Sequence, residues 1–254
     1  WIFLAHHYPG FEEWSLFLPH LMFALFNATL LWLFYIALEP YVRRWWPHRI
    51  VSWSRLLAGD FRDPLVGRDI LIGSVFGVAI EVVIYLADLA PGGPGIALTV
   101  PPTLRMLLGL RESVSIFFDG PAAFAIFIGV SYLFLLLLLY VLFRRKEWLS
   151  SLAAWLLPTI VLAVSTRTHL IGALLAGLTF GLVLVVTTRF GLLAMIASMF
   201  FVLLFTFYPM TSDFSVWYAG STIFGLCAGL ALVLYSFYIS LGGQPIFKGG
   251  LLRE

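Results

Sequence analysis

The sequence predicts an all-α polytopic membrane protein with about seven transmembrane helices. Three observations predict this class: 61% of the 254 residues are apolar, only 11% are charged, and the mean hydropathy is +1.00. A soluble domain of this length carries about a quarter charged residues, so the composition excludes a soluble globular protein and a disordered chain. The formal charge of +2 gives no reason to expect nucleic acid as a partner, and a single cysteine excludes a disulfide framework.

A bilayer core about 30 Å thick requires roughly 20 apolar residues in a helix, and the chain offers seven such stretches. The first closes on the polar pair Glu39-Pro40, and the third closes on a basic run that begins at Arg144. Short polar or Gly- and Pro-rich breaks separate the others, of which the fourth is marginal in length. The predicted spans cover residues 14–38, 70–89, 121–143, 148–165, 170–187, 191–208 and 217–241. Together they form a single membrane domain over residues 1–254.

The distribution of Lys and Arg predicts the orientation, since cytoplasmic loops of membrane proteins are rich in both. Twelve of the fifteen lie in the connections after the first, third and fifth spans and in the C-terminal tail. We therefore expect the N-terminus outside and the C-terminus in the cytoplasm. An outer loop is predicted at residues 91–120, with a short helix over 103–110. Because Trp1 to Leu4 look like the end of an earlier helix, we expect the chain to be a fragment of a longer one.

One sizeable cytoplasmic loop is predicted, at residues 41–69. Its six arginines are interleaved with Trp45, Trp46 and Trp53, a composition that suits the depth of lipid headgroups. Apolar residues within 49–57 follow a helical spacing, which predicts a short helix lying in the interface; a solvated basic loop is the alternative. The predicted headgroup contacts are Arg43, Arg44, Arg49, Arg55, Arg62 and Arg68.

Glu81 is the acidic residue near the centre of a predicted span and the first candidate for an intramembrane function. A charge at mid-bilayer costs about 2.5–3.5 kcal/mol on insertion scales. Gly73 and Gly77 share one helical stripe with Glu81, which predicts the close approach of a neighbouring helix. The carboxyl group is either a proton or cation site, or a protonated structural group that pairs with Asn27 or His20 on the first span. We expect it to point into the bundle and to be neutral.

His20 and Asn27 complete the set of candidate intramembrane residues. A lone histidine in a span can ligate haem or chlorophyll magnesium, but no second predicted span offers the facing histidine that a haem bundle requires. Neither a catalytic motif, nor metal-ligand spacing, nor a nucleotide-binding loop occurs in the sequence. We therefore expect no catalytic residue, no metal site and no cofactor within this chain.

Several motifs are distributed along nearly the whole chain, most specifically over residues 37–69 and 217–245. They include ALEPYVRR at 37–44, SWSRLLAG at 52–59, RDPLVGRD at 62–69, WYAG at 217–220 and SLGGQP at 240–245. Together they resemble the C-terminal multi-pass membrane region of a group of bacterial serine/threonine protein kinases, in which a cytoplasmic kinase domain precedes the membrane part. The resemblance implies an integral membrane anchor or sensor region of a receptor-like kinase in the bacterial inner membrane. No kinase catalytic motif lies within the chain, so no catalytic residue is carried over.

Two other functions stay open from the sequence. The chain is alternatively an accessory structural subunit of a larger membrane protein complex, which predicts co-purification with other integral proteins. An ion or solute transporter that uses Glu81 is the third hypothesis, and it predicts flux that is lost in Glu81→Gln. The expected partners are membrane lipids together with other membrane subunits or a second copy of the chain.

Overall fold

A computed structural model describes residues 10–90, 109–165 and 169–242, and these residues form helices with no strand among them. The all-α prediction is therefore confirmed. A 3₁₀ turn, Pro47–Arg49, lies between the first two helices, and a π-helical turn, Phe118–Ala122, joins the fourth helix to the fifth. The helices are α1 Glu12–Trp45, α2 Val51–Leu57, α3 Pro64–Leu89, α4 Leu110–Phe117, α5 Ala123–Leu142, α6 Glu147–Ser165, α7 Leu170–Arg189, α8 Leu192–Phe207 and α9 Ala219–Ser240.

Six helical segments of the described chain are long and apolar enough to cross a membrane, whereas the sequence predicts seven. The six are Glu13–Trp45, Pro64–Leu89, Leu110–Leu142, Glu147–Ser165, Leu170–Arg189 and Ala219–Ser240. The predicted sixth span forms α8, which has only 16 residues. At 1.5 Å per residue it reaches about 24 Å, less than the roughly 30 Å of a bilayer core.

Helix α8 forms the centre of the bundle. All of its residues from 192 to 202 are buried. Both α3 and α5 pack along it, while α7 packs on α3 and α6, and α9 packs mainly on α3. A helix that is apolar on every face suits such an enclosed position, because no face has to meet solvent.

The contact between α3 and α8 depends on two glycines. A Cβ atom on Gly73 would lie 2.5 Å from the carbonyl oxygen of Ala194, and one on Gly77 would lie 2.6 Å from that of Ser198. Both distances are shorter than van der Waals contact, so only glycine permits this separation of the two backbones. The close helix approach that the glycine stripe predicts is therefore confirmed, and the neighbouring helix is α8.

The helix that contains the first predicted span is longer than that span, because α1 continues past Glu39-Pro40 to Trp45. A proline inside a helix removes one hydrogen-bond donor and crowds the preceding turn. Leu38 and Val42 on either side of it are fully buried in the core. This burial keeps the helix intact across the proline.

The helix that contains the second predicted span is longer as well, since α3 begins at Pro64 rather than at residue 70. The carboxylate of Asp63 accepts a hydrogen bond from the backbone N–H of Leu65 at 2.8 Å and caps the helix. Proline at the first helical position costs no hydrogen bond, because that N–H has no partner in any helix. The predicted loop 41–69 is consequently shortened by helix at both ends.

The third helical segment begins eleven residues before the predicted start at residue 121. Its first part is α4, and the π-helical turn accommodates Pro121 without ending the helix. The π-helical turn widens the helix by one residue, which relieves the clash that proline causes. Of the predicted outer loop 91–120, residues 91–108 and most of the short helix expected at 103–110 lie outside the described residues.

We expect Gly73→Ala to destabilise the chain, because the added Cβ would meet Ala194 and Ala197, each at 2.5 Å. Overpacking of this kind costs about 1–3 kcal/mol and should lower the midpoint of thermal unfolding in detergent. Gly181→Ala is the matched control, since its Cβ would lie 3.6 Å from Trp155 Nε1, an ordinary contact. Unchanged midpoints in both variants would contradict the packing of α3 on α8.

Candidate functional site

Stretches rich in Lys and Arg meet at one end of the bundle, which we call the basic end. The end of α1 reaches the start of α6, where Trp46 Nε1 donates a hydrogen bond to Glu147 Oε1 at 2.7 Å. Gly191, between α7 and α8, lies directly against the backbone of Arg49. The basic end comprises the end of α1 with residues 46–63, the start of α3, the turn 143–146, residues 189–191 and the C-terminal end of α9.

The C-terminal end of α9 joins the basic end through two contacts with the region around the start of α3. The hydroxyl of Tyr235 donates a hydrogen bond to the carbonyl oxygen of Phe61 at 3.2 Å. A Cβ on Gly67 would lie 2.6 Å from the carbonyl oxygen of Ser236, so α3 and α9 are in close contact here. Ten of the eleven Lys and Arg residues that the structure describes lie at this end, and Arg111 lies elsewhere.

The indole of Trp46 is the centre of the contacts at the basic end. It is 3% exposed. The guanidinium carbon of Arg49 lies 4.1 Å from the centroid of its ring, and the ring of Tyr140 lies 4.8 Å away, centroid to centroid. With its ring nitrogen bonded to Glu147, Trp46 connects the end of α1 to the adjoining ends of α5 and α6.

Arg49 lies inside the protein, whereas the sequence predicts an arginine that faces lipid headgroups. It is only 9% exposed, and its Nε and Nη1 atoms have no hydrogen-bond acceptor among the described residues. Burial lowers the pKa of Arg49, while Glu147 and Tyr140 act in the opposite direction. Because arginine remains charged at neutral pH, the face of the Trp46 ring and the Glu147 carboxylate compensate a buried cation here.

The remaining five arginines of the predicted headgroup set are at least partly exposed, and their contact with lipid stays a prediction. Arg44 and Arg62 form no ion pair within the part of the chain that the structure describes. Burial raises the pKa of Asp63, but the Leu65 N–H and the guanidinium of Arg55 outweigh it and leave that pKa below its usual range. The other three arginines of this set form ion pairs, Arg43 with Glu39, Arg55 with Asp63 and Arg68 with Asp69.

Two tryptophans that the sequence assigns to headgroup depth are buried in protein. Trp46 and Trp53 are 3% and 8% exposed, so both pack within the protein, and their depth in a membrane stays a prediction. Val42 and Ile50 are buried as well, and the four residues follow one another at intervals of four, four and three. Such spacing predicts one apolar face of a helix, although the structure divides the four residues among α1, the connection that contains the 3₁₀ turn, and α2. The signal for burial was therefore present in the sequence, although the positive charges around it suggested exposure.

The turn between α5 and α6 contains two successive residues in the left-handed region, Arg144 with φ 53° and Arg145 with φ 66°. Each costs on the order of 1 kcal/mol relative to glycine there. The backbone N–H of Arg145 donates to the carbonyl oxygen of Tyr140 at 2.7 Å, and its guanidinium carbon lies 4.9 Å from the ring centroid of Trp45. The turn thus holds the Arg145 guanidinium against the ring of Trp45, the last residue of α1.

The three candidate intramembrane residues do not come together. Glu81 is half-buried on α3, and its Oε2 accepts a hydrogen bond from Thr206 Oγ1 of α8 at 3.5 Å, the long limit for such a bond. The carboxyl group points to a neighbouring helix, as expected, but its partner is neither Asn27 nor His20. The Asn27 amide donates to the carbonyl oxygen of Phe23 in its own helix at 2.8 Å, and His20 is exposed on α1.

Hydroxyl groups join the helices at the opposite end of the bundle. The Tyr208 hydroxyl donates to the carbonyl oxygen of Ser113 at 2.6 Å. The Ser113 and Ser221 hydroxyls are 2.8 Å apart, and Thr222 Oγ1 donates to the carbonyl oxygen of Pro209 at 2.5 Å. The two ends therefore differ in charge, because Arg111 is the single described arginine on the side of these hydroxyl contacts.

Comparison with protein family models, with curated protein sequences and with solved structures finds no match to this chain. Within the described ranges no group of three His, Cys, Asp or Glu side chains is arranged to hold a metal ion. Functional reasoning therefore starts from the geometry of the basic end, from Glu81 and from the motif resemblance.

We expect Trp46→Phe to lower the free energy of unfolding by about 1–2 kcal/mol, because it removes a hydrogen bond to a carboxylate while an aromatic face remains for Arg49. Glu147→Gln keeps an acceptor oxygen and should cost less. Chemical unfolding of Trp46→Phe, Glu147→Ala and the double variant measures the coupling, which should be non-additive. Strict additivity would show that the contact contributes nothing.

We expect Glu81→Gln to change the free energy of unfolding by less than about 0.5 kcal/mol, because the amide oxygen still accepts from Thr206. Glu81→Leu leaves that hydroxyl without its carboxylate acceptor and should cost about 1 kcal/mol. Val82→Leu is the control, since Val82 is 53% exposed on the neighbouring face of α3. Equal stability of the Gln and Leu variants would refute a structural role for this hydrogen bond.

Proposed function

We propose that this chain is a helical domain embedded in the bacterial inner membrane with its basic end in the cytoplasm. The observation that carries the proposal is the placement of ten of the eleven described Lys and Arg residues at one end of the bundle. Cytoplasmic connections of membrane proteins carry this excess. The opposite end, joined by neutral hydroxyl groups, is the one that suits the outer face.

We further propose that the domain serves as the anchor and sensor region of a receptor-like serine/threonine protein kinase. The motif resemblance supports this role, and its two most specific regions are residues 37–69 and 217–245. These regions are distant in sequence, yet Tyr235 contacts Phe61 and the backbone at Ser236 contacts Gly67. Both contacts lie at the basic end, which is the face where a cytoplasmic kinase domain would be attached or would dock.

A second candidate, an accessory subunit of a larger membrane complex, is favoured by the outer part of α1. Large apolar side chains are exposed along that part of the helix, whereas Leu38 and Val42 near its other end are fully buried. Such a surface requires lipid or further membrane helices to cover it. The exposed side chains include Trp14, Phe23, Phe26 and Trp32. Transport through Glu81 stays the third hypothesis, to be tested by flux in liposomes.

The proposed orientation predicts the labelling of introduced cysteines by a membrane-impermeant maleimide. In a Cys227→Ser background, Ser212→Cys at the end with hydroxyl contacts should react in intact spheroplasts. Ala58→Cys at the basic end should react only after permeabilisation. Both positions are exposed, so a failure to react reports the membrane barrier rather than burial. The cysteine-free chain is the control, and the reverse pattern would overturn the orientation.

Reading the gene upstream of Trp1 tests the kinase role separately. A kinase domain in the same open reading frame is the expected result. An upstream frame without one would refute the role as a kinase anchor, whatever the labelling shows. Stoichiometric co-purification with other integral proteins would then favour the accessory-subunit hypothesis.

A further inference from the structure

An open cavity of about 660 Å³ lies at the basic end, beside the turn that joins α2 to α3. The turn bends sharply at Gly59, where φ is +90°. Tyr235 of α9 forms the opposite wall and is held there by its hydrogen bond to the Phe61 carbonyl oxygen. The lining residues are Gly59, Asp60, Phe61, Arg62, Asp63 and Tyr235.

The cavity lining contains one basic and one acidic side chain, Arg62 and Asp60, that form no ion pair with other described residues. Asp63 already accepts from the Leu65 N–H and pairs with Arg55. By contrast, the side chains of Asp60 and Arg62 make no hydrogen bond or ion pair with any residue that the structure describes, and both are exposed. A guanidinium and a carboxylate two positions apart on one turn are thus available to a ligand that carries charges of both signs.

Exposed apolar side chains lie next to the charged groups in the chain. Leu57 and Phe61 on the turn are 58% and 57% exposed, and Tyr238, one helical turn beyond Tyr235, is 72% exposed. Tyrosine and phenylalanine at the edge of a membrane domain suit the boundary between headgroups and acyl chains. The cavity therefore combines charged side chains in its lining with exposed apolar side chains close by in the chain.

We propose that this cavity binds the headgroup of a zwitterionic aminophospholipid, with the phosphate on Arg62 and the primary ammonium on Asp60. The inference rests on the proposed membrane orientation. A guanidinium donates to phosphate through a fixed pair of N–H groups, and a primary ammonium offers three N–H donors to a carboxylate. Phosphatidylcholine has a quaternary ammonium without N–H donors, and phosphatidylglycerol has no cation for Asp60. The cavity consequently selects phosphatidylethanolamine over both.

Native mass spectrometry of the purified full chain in detergent tests this selectivity with three lipids that share dioleoyl chains. Phosphatidylethanolamine should bind about two- to fivefold more tightly than phosphatidylcholine or phosphatidylglycerol, the range expected for exposed charge pairs. Asp60→Asn should abolish the preference over phosphatidylcholine. Arg62→Gln should weaken binding of all three lipids alike. Arg189→Gln, an exposed arginine of the basic end outside the cavity, should leave the preference unchanged.

A competition experiment distinguishes a bound lipid from a soluble ligand that carries the same headgroup. Glycerophosphoethanolamine has no acyl chains to lie on Leu57 and Phe61, so an excess should displace little of the bound lipid. Displacement at equal concentration would mean that the cavity takes a soluble phosphoethanolamine compound, and it would overturn the lipid assignment.

Equal binding of the three lipids to the unmodified chain would also overturn the inference, as would an unchanged preference in Asp60→Asn. The cysteine-labelling experiment decides the orientation independently. A chain with its basic end in the cytoplasm and no lipid preference would therefore refute this inference alone, and leave the proposed orientation standing.

Discussion

The enclosure of α8 is the constraint on which the rest of the bundle depends. This helix is short, apolar on every face and buried almost throughout, so other helices have to surround it. Gly73 and Gly77 let α3 approach until its backbone touches that of α8. Because α7 and α9 pack on α3, the same two glycines also determine how closely these helices surround the core. A larger side chain at either position would separate α3 from α8 and loosen the enclosing helices together.

The position of α8 also determines the structure of the basic end. The helix begins after Gly191, which has a φ of +91°, a value that suits glycine. Because glycine has no Cβ, the backbone of Arg49 can lie directly against it. This contact fixes the 3₁₀ turn Pro47–Arg49 against the bundle, and the Arg49 side chain is consequently buried beside Trp46. The ring nitrogen of Trp46 then reaches Glu147 at the start of α6. A chain of backbone and side-chain contacts thus runs from the central helix to the outer ones.

Features that depend on local pattern were predictable from the sequence, and those that depend on the choice of neighbour were not. Hydropathy predicts each of the long helices, and the stripe of Gly73, Gly77 and Glu81 predicts a close neighbour on that face. Nothing local identifies this neighbour as α8 or Thr206 as the partner of Glu81, because an all-apolar helix has no preferred face. The pair Glu39-Pro40 predicts a helix end, but the burial of Leu38 and Val42 outweighs the cost of the proline. The clustering of arginines was predictable, but the burial of Arg49 depends on contacts between helices.

Five arginines at the basic end make two kinds of contact within the protein. Three pair with carboxylates, while Arg49 and Arg145 lie on tryptophan rings. Arg43 and Arg68 pair within a single helix, whereas Arg49, Arg55 and Arg145 connect separate segments of the chain. A protein that only needed to be anchored would gain as much from exposed arginines, since attraction to anionic lipid requires no fixed geometry. The proposed sensor role, in contrast, requires helices that move together at the basic end. The Trp46 contacts supply such a rigid connection between α1, α5 and α6, with a buried cation that disfavours their separation.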